Sequence, residues 1–267
     1  MSAILRVEGI VKKYQGVTAL DGVTFDVAGG SITGLIGPNG SGKTTLFDCI
    51  SGFQRCDAGR AWLGPGGPAA VELTSLPPVR VARAGVRRTF QQLKVFPNLS
   101  VRDNLLTAAQ SGPGFSAFAE ILRVARVRDH ERGLQDRAAR LLDEFALAPL
   151  ADGPAAALSY GQKKLLELAM ALMTDPQVLL LDEPVAGVNP TLIEALKRHL
   201  LRVRDRGVTL LIVEHNLKLV FDLCERIFVL DGGRLLTSGA PAEVAHDPRV
   251  LAAYLGAGAK SAAELDG

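Results

Sequence analysis

The chain has 267 residues, 48% hydrophobic and 22% charged, which supplies enough apolar side chain for a buried core and excludes a disordered chain. Lys plus Arg number 30 against 28 Asp plus Glu, and this net charge of +2 argues against a generic nucleic-acid coat or a polybasic membrane binder. Three scattered cysteines (Cys49, Cys56 and Cys224) have neither metal-site spacing nor the even count of a disulfide framework, as expected of thiols in a reducing compartment.

The first part of the chain alternates like β-structure. Ile4–Val7, Ala19–Val27 and Ser31–Ile36 read as strands, punctuated by Gly16, Gly22 and Gly29-Gly30. A glycine-rich turn, Gly37–Gly42, follows the third run, and Lys43–Ser51 has helical spacing that stops at Gly52. Residues 60–80, rich in glycine and proline, read as turns and short strands, and Val86–Phe90 as another strand ending at Gln91. From about Ser100 to Leu147 apolar residues recur at helical spacing, as in Leu134, Ala138, Leu141, Leu142 and Phe145. A helical insert is therefore expected over approximately 94–170.

Strand and helix alternation then returns. Val178–Leu181 is an all-apolar run, as in a strand covered on both faces. Leu192–Val203 is an amphipathic helix, Val208–Val213 a second buried strand, and Ile227–Leu230 with Asp231-Gly232-Gly233 a late hairpin. Residues 4–256 are expected to form one domain and 257–267 a flexible tail. The opening residues reach Arg6 and Glu8 without a secretory apolar core, and no stretch approaches the roughly 18 apolar residues of a membrane span. A soluble, cytoplasmic protein is expected, held at any membrane by another chain.

Two motifs carry chemistry. Gly37-Pro38-Asn39-Gly40-Ser41-Gly42-Lys43-Thr44 fits the phosphate-loop pattern in full. Phosphate oxygens need several backbone N–H groups converging on one point, and a following helix adds its N-terminal N–H groups and partial positive charge. Lys43 can reach the β- and γ-phosphates, and the Thr44 hydroxyl can bind Mg²⁺, with Thr45 alongside. Asp182 and Glu183 end an apolar strand, where ligands collect in a parallel sheet. Asp182 would face the metal site, and Glu183 could take a proton from an attacking water. Leu158-Ser159-Tyr160-Gly161-Gln162 adds a second anion-binding helix start, or an ordinary capped helix, with Ser159 as N-cap.

With these elements in order, the chain resembles the ATP-binding subunit of an ATP-binding-cassette transporter from residue 4 to about 256. The expected fold is α/β, a phosphate-loop NTPase core with an N-terminal antiparallel β subdomain and a helical insert. Leu158–Gln162 matches the signature loop, with Tyr160 in place of its first glycine. Tyr14 matches the aromatic that stacks on adenine, Gln91 the glutamine loop, Ala186–Pro190 the dimer-contact loop, and His215 the switch histidine. The resemblance implies ATP as substrate, Mg²⁺ held by Thr44, Gln91 and Asp182, and catalysis by Glu183 and His215. It also implies head-to-tail pairing with a second cassette, so that Ser159, Gly161 and Gln162 touch the γ-phosphate bound across the interface.

Arg88-Thr89-Phe90-Gln91, Leu93–Val101, Asp48–Phe53, Val213–Val220 and Ala253-Tyr254-Leu255-Gly256 resemble the larger ATPase of branched-chain amino-acid uptake systems. That group implies a companion ATPase, usually a different, smaller chain with a second copy of this one as the alternative, two permease chains, a solute-binding protein and a place on the cytoplasmic face of the inner membrane. Phe90–Leu105 is the expected surface for a permease helix. Cassettes for urea, amides, aromatic acids, lipopolysaccharide extraction or soluble cluster assembly would share every nucleotide residue. Repair and translation ATPases fit poorly, and no nucleic-acid partner is expected.

Overall fold

In the computed structural model the described residues are 2–89, 94–109 and 124–263, so Phe90 and Gln91, and residues 115–123 of the insert, lie outside them. They divide into two compact units, one comprising 1–88, 177–186 and 200–267, the other 89–176 and 187–199.

The first unit holds both sheets. Strands β1 (Ala3–Tyr14) and β2 (Val17–Ala28) form an antiparallel hairpin, and β4 (Ala58–Leu63) and β5 (Val71–Glu72) extend it in the order β2-β1-β4-β5. Gln15 and Gly16 both have positive φ, 40° and 92°, the backbone of a two-residue hairpin turn whose twist matches its strands. The sequence reading broke this pair into shorter runs. Strand periodicity is blurred at Gly9 and Gly22, where register shifts interrupt the alternation.

The second sheet contains β3 (Ile32–Ile36), β6 (Val86–Arg88), β7 (Val178–Asp182), β8 (Thr209–Val213), β9 (Arg226–Asp231) and β10 (Arg234–Gly239), in the order β10-β9-β3-β8-β7-β6. All pairings are parallel except the closing β9-β10 hairpin. Every residue of β3, β7 and β8 is buried, which explains their unbroken apolar runs. Val213 is level with Leu35 on one side and Asp182 on the other, so β3, β7 and β8 end together.

Helix α1 (Lys43–Ile50) follows the glycine loop and drives Leu46, Phe47 and Ile50 into the core with Leu35, Val213 and Phe228. The turns and short strands expected over 60–80 are present as β4, β5 and the turns between and after them, and helix α2 (Pro78–Ala84), which was not expected, begins at the end of that stretch. Its prolines read as breakers, but Pro78 is the first helical residue, where a fixed φ and a missing N–H cost nothing, and Gly85 ends the helix at φ 108°.

In the second unit, α3 (Val101–Ala109) packs on α4 (Val124–Glu144) and on α5 (Tyr160–Leu172) through buried side chains that include Leu105, Leu141, Leu142, Phe145 and Leu166. Helix α6 (Pro190–Asp205) contributes His199, whose ring stacks on Phe145 at 4.5 Å between centroids. Asn104 is fully buried, accepts from Phe96 N–H at 2.7 Å and donates to the Phe96 and Ser100 carbonyls, clamping the segment before α3. In the first unit α7 (Leu217–Leu223), α8 (Pro241–Ala245) and α9 (Pro248–Ala263) complete the structure. Helix α9 runs on past Gly256, across most of the stretch read as a tail. Among the described residues no helix is long and apolar enough to cross a membrane.

Phe47 has no exposed surface. Phe47→Ala should lower unfolding free energy by about 3–5 kcal/mol, the cost of deleting a core aromatic, as read from the urea midpoint at unchanged slope.

Candidate functional site

The common ending of β3, β8 and β7 brings three loops to one edge of the sheet. A cleft of about 320 Å³ lies there, lined by Ala19, Asn39, Gly40, Ser41, Gly42, Lys43, Thr44, Thr45, Glu183 and His215. Seven of these follow β3, Glu183 follows β7 and His215 follows β8.

The loop wraps its own lysine. Lys43 Nζ donates to the Gly37 carbonyl at 2.8 Å, the Pro38 carbonyl at 2.9 Å and Ser41 Oγ at 3.2 Å. Burial lowers the Lys43 pKa, and the charges of Glu183 and Asp182 oppose that shift. Gly37 cannot be replaced without moving backbone, because a Cβ there would collide with the Leu230 carbonyl and Ser41 Oγ. The N-terminal turn of α1 thus presents its N–H groups beside a buried ammonium, an arrangement that attracts polyanions.

The acidic pair divides its work. Asp182 is 4% exposed and accepts from Arg88 Nη2 at 2.8 Å, while Arg88 Nη1 reaches Asp48 Oδ1 at 2.5 Å. Glu183 has φ 49°, a left-handed backbone costly for a residue with a Cβ. Its N–H donates to the Val213 carbonyl at 2.9 Å, and its carboxylate lies 3.1 Å from His215 Nε2. Next to His215, buried Glu214 accepts backbone N–H groups from Val185, His215 and Asn216, which fixes the turns after β7 and β8. Burial raises the Glu214 pKa in spite of those three donors.

Tyr14 ends β1, is 39% exposed and has Lys12 Nζ at 5.2 Å from its ring centre; it does not line the cleft. In the second unit Ser159 caps α5 in a reciprocal box: Gln162 N–H donates to Ser159 Oγ, and Ser159 N–H donates to Gln162 Oε1 at 2.9 Å. A Cβ on Gly161 would run into Leu192, and the Tyr160 ring covers Gly187. Gln91 lies outside the described residues.

Sequence reasoning gave no role to Arg88, although it stands in a strand beside one that ends in an acid. A charged residue one strand away from a buried carboxylate is the signal that could have found it. Nothing in the sequence marks Ala19 as a wall of the cleft.

Strand, glycine loop and helix, with carboxylates at the end of the neighbouring strands, define a phosphate-loop nucleoside triphosphatase. Residues 20–186 match the family described as ABC transporter, and residues 234–260 the family described as branched-chain amino acid ATP-binding cassette transporter. The chain is 37% identical to the high-affinity branched-chain amino acid transport ATP-binding protein BraF of Pseudomonas aeruginosa, over 95% of this chain and 98% of that one. It is 35% identical to the corresponding LivG of Escherichia coli, with the same coverages. A crystal structure of the ADP conformation of an ATP-binding cassette of an ABC transporter superposes with a TM-score of 0.82 at 34% identity, over 96% of this chain and 100% of that one. The chain belongs to the ABC transporter family, as an ATP-binding cassette of the group that contains the branched-chain amino acid transport ATP-binding proteins, and it is an ATPase.

Removing the cation between two acids should be costly. Arg88→Ala leaves the Asp182 carboxylate buried without its 2.8 Å partner, and a loss of about 3 kcal/mol in urea unfolding is expected.

Proposed function

We propose that this chain is the ATP-hydrolysing subunit of an importer for branched-chain or other hydrophobic amino acids. The observation that carries the hydrolytic part is the cleft, in which Lys43, Glu183 and His215 share one space. The match of residues 234–260 to the branched-chain family supports the solute class, together with relatives named for that transport along almost their whole length.

In this reading the loop N–H groups of 39–45 and Lys43 hold the β- and γ-phosphates, and Tyr14 stacks on the adenine. Thr44 and Asp182 offer the hard oxygen donors that Mg²⁺ takes, with Gln91 as a third ligand. Bound there, Mg²⁺ supplies charge neutralisation on the phosphates. Glu183 accepts a proton from the attacking water, and His215 steadies the Glu183 carboxylate through Nε2 when that nitrogen carries its proton. Ser159, Gly161 and Gln162 contact the γ-phosphate on a second cassette, so ATP favours the closed pair and hydrolysis releases it.

Residues 4–256 act as one cassette in this scheme. The companion is a second, different cassette ATPase, and two permease chains take up the motion at the cytoplasmic face of the inner membrane. A solute-binding protein delivers the amino acid. Of the expected permease surface, residues 94–105 are among the described residues, and Phe96 and Leu99 are its exposed large apolar side chains, at 49% and 37%.

Glu183→Gln should bind ATP as the native chain does and hydrolyse it at least ~100-fold more slowly in the permease-bound complex. Turnover near the native rate would remove Glu183 from the role of base. Purification of the tagged chain from membranes in mild detergent should bring down two permeases and a second cassette, and recovery without any membrane protein would overturn the importer.

A further inference from the structure

Helix α9 presents Leu251 and Leu255 to solvent, 54% and 76% exposed, yet one of its side chains turns inward to the glycine loop. Gly37 N–H donates to Tyr254 Oη at 3.0 Å. Gly37 stands just beyond β3, whose last ladder partner is Ile36 opposite Val229, so its N–H lies past the end of the strand pairing. Its carbonyl accepts from Lys43 Nζ. The residue that opens the loop is therefore held at both polar ends, by Tyr254 on one side and by the phosphate-binding lysine on the other.

We infer that Tyr254 is a positioning residue of the nucleotide site, in which its hydroxyl oxygen fixes the Gly37 peptide and through it the Lys43 ammonium. The inference rests on the phosphate-loop reading of Gly37–Thr44 and assigns to α9 a part in ATP affinity. The helix is built to hold that register. Its first turn is fixed by Arg249, which donates to Asp247 Oδ2 at 2.7 Å and to Thr237 Oγ1 on β10 at 2.9 Å. Val250 is buried four positions before Tyr254, on the same side of the helix. Burial pushes the Tyr254 phenol above its ordinary pKa, so the oxygen is a neutral acceptor at physiological pH.

Removing the hydroxyl leaves a part-buried N–H without its acceptor, and the loop can regain one only by turning the Gly37 peptide. Lys43 then loses the geometry of one of its carbonyl partners. Because the hydroxyl touches no reacting atom, the effect belongs to ATP binding and not to the chemical step.

The test is calorimetric titration of Mg-ATP into the full-length chain, with steady-state ATPase kinetics beside it, for Tyr254→Phe, Leu255→Ala and Lys43→Ala. Tyr254→Phe keeps the ring and is expected to raise Kd and KM together by about 3- to 10-fold, the loss of one hydrogen bond, with kcat within about twofold. Leu255→Ala, on the same helix but facing solvent, should leave both constants unchanged. Native Kd in Tyr254→Phe, or a fall in kcat at constant KM, overturns the assignment. An equal loss in Leu255→Ala also overturns it, since the effect would then belong to the helix as a whole. Lys43→Ala separates the two readings. If it loses ATP while Tyr254→Phe does not, only the role of Tyr254 fails; if it binds ATP normally, the phosphate-loop reading itself fails.

Discussion

Register between three parallel strands is the constraint on which the rest depends. Leu35, Val213 and Asp182 stand level across β3, β8 and β7. A slip of one residue in any of them would turn its side chains over and move its loop along the sheet. Because all three strands are buried on both faces, the register is fixed by packing on each side. The glycine loop, Glu183 and His215 are therefore delivered to one edge by the hydrophobic core. After β7 and β8 the chemistry is added one or two positions beyond the last apolar side chain, and after β3 by the loop that leads to Lys43.

Charge within the site is arranged so that Lys43 and Asp182 have opposite charge nearby and Glu214 has backbone donors. Lys43 sits among carbonyls with Asp182 and Glu183 in electrostatic reach. Asp182 and Asp48 share Arg88. Glu214 satisfies its carboxylate on three backbone N–H groups and thereby shapes the turn that carries His215. These contacts are short and part-buried, where an unpartnered charge is costly, so each holds its neighbour's position as well as its own.

Much of this was legible in the sequence, for identifiable reasons. The apolar runs of β3, β7 and β8, the glycine loop and the Asp182-Glu183 pair all follow from burial and from the backbone freedom of glycine. The β9-β10 hairpin was announced by Asp231-Gly232-Gly233, and its two glycines do adopt positive φ. Helix α2 was missed because a proline at a helix start and a proline in a turn look alike without tertiary context. The continuation of α9 was missed because its small residues carry little amphipathic signal. Arg88 and Tyr254 stand within stretches that resemble the family, but their pairings span 94 and 217 positions, which no local pattern contains.

The left-handed backbone of Glu183 has a bearing on how such a protein can be improved by selection. Gly and Asn adopt φ near 49° with less steric conflict than Glu, so a screen for heat resistance alone would enrich them at this position. The winners of that screen would fold better and would have discarded the carboxylate beside His215. With Glu183 as the proposed base, thermal tolerance and turnover are opposed at a single codon, and laboratory evolution of this cassette would have to select for both at once.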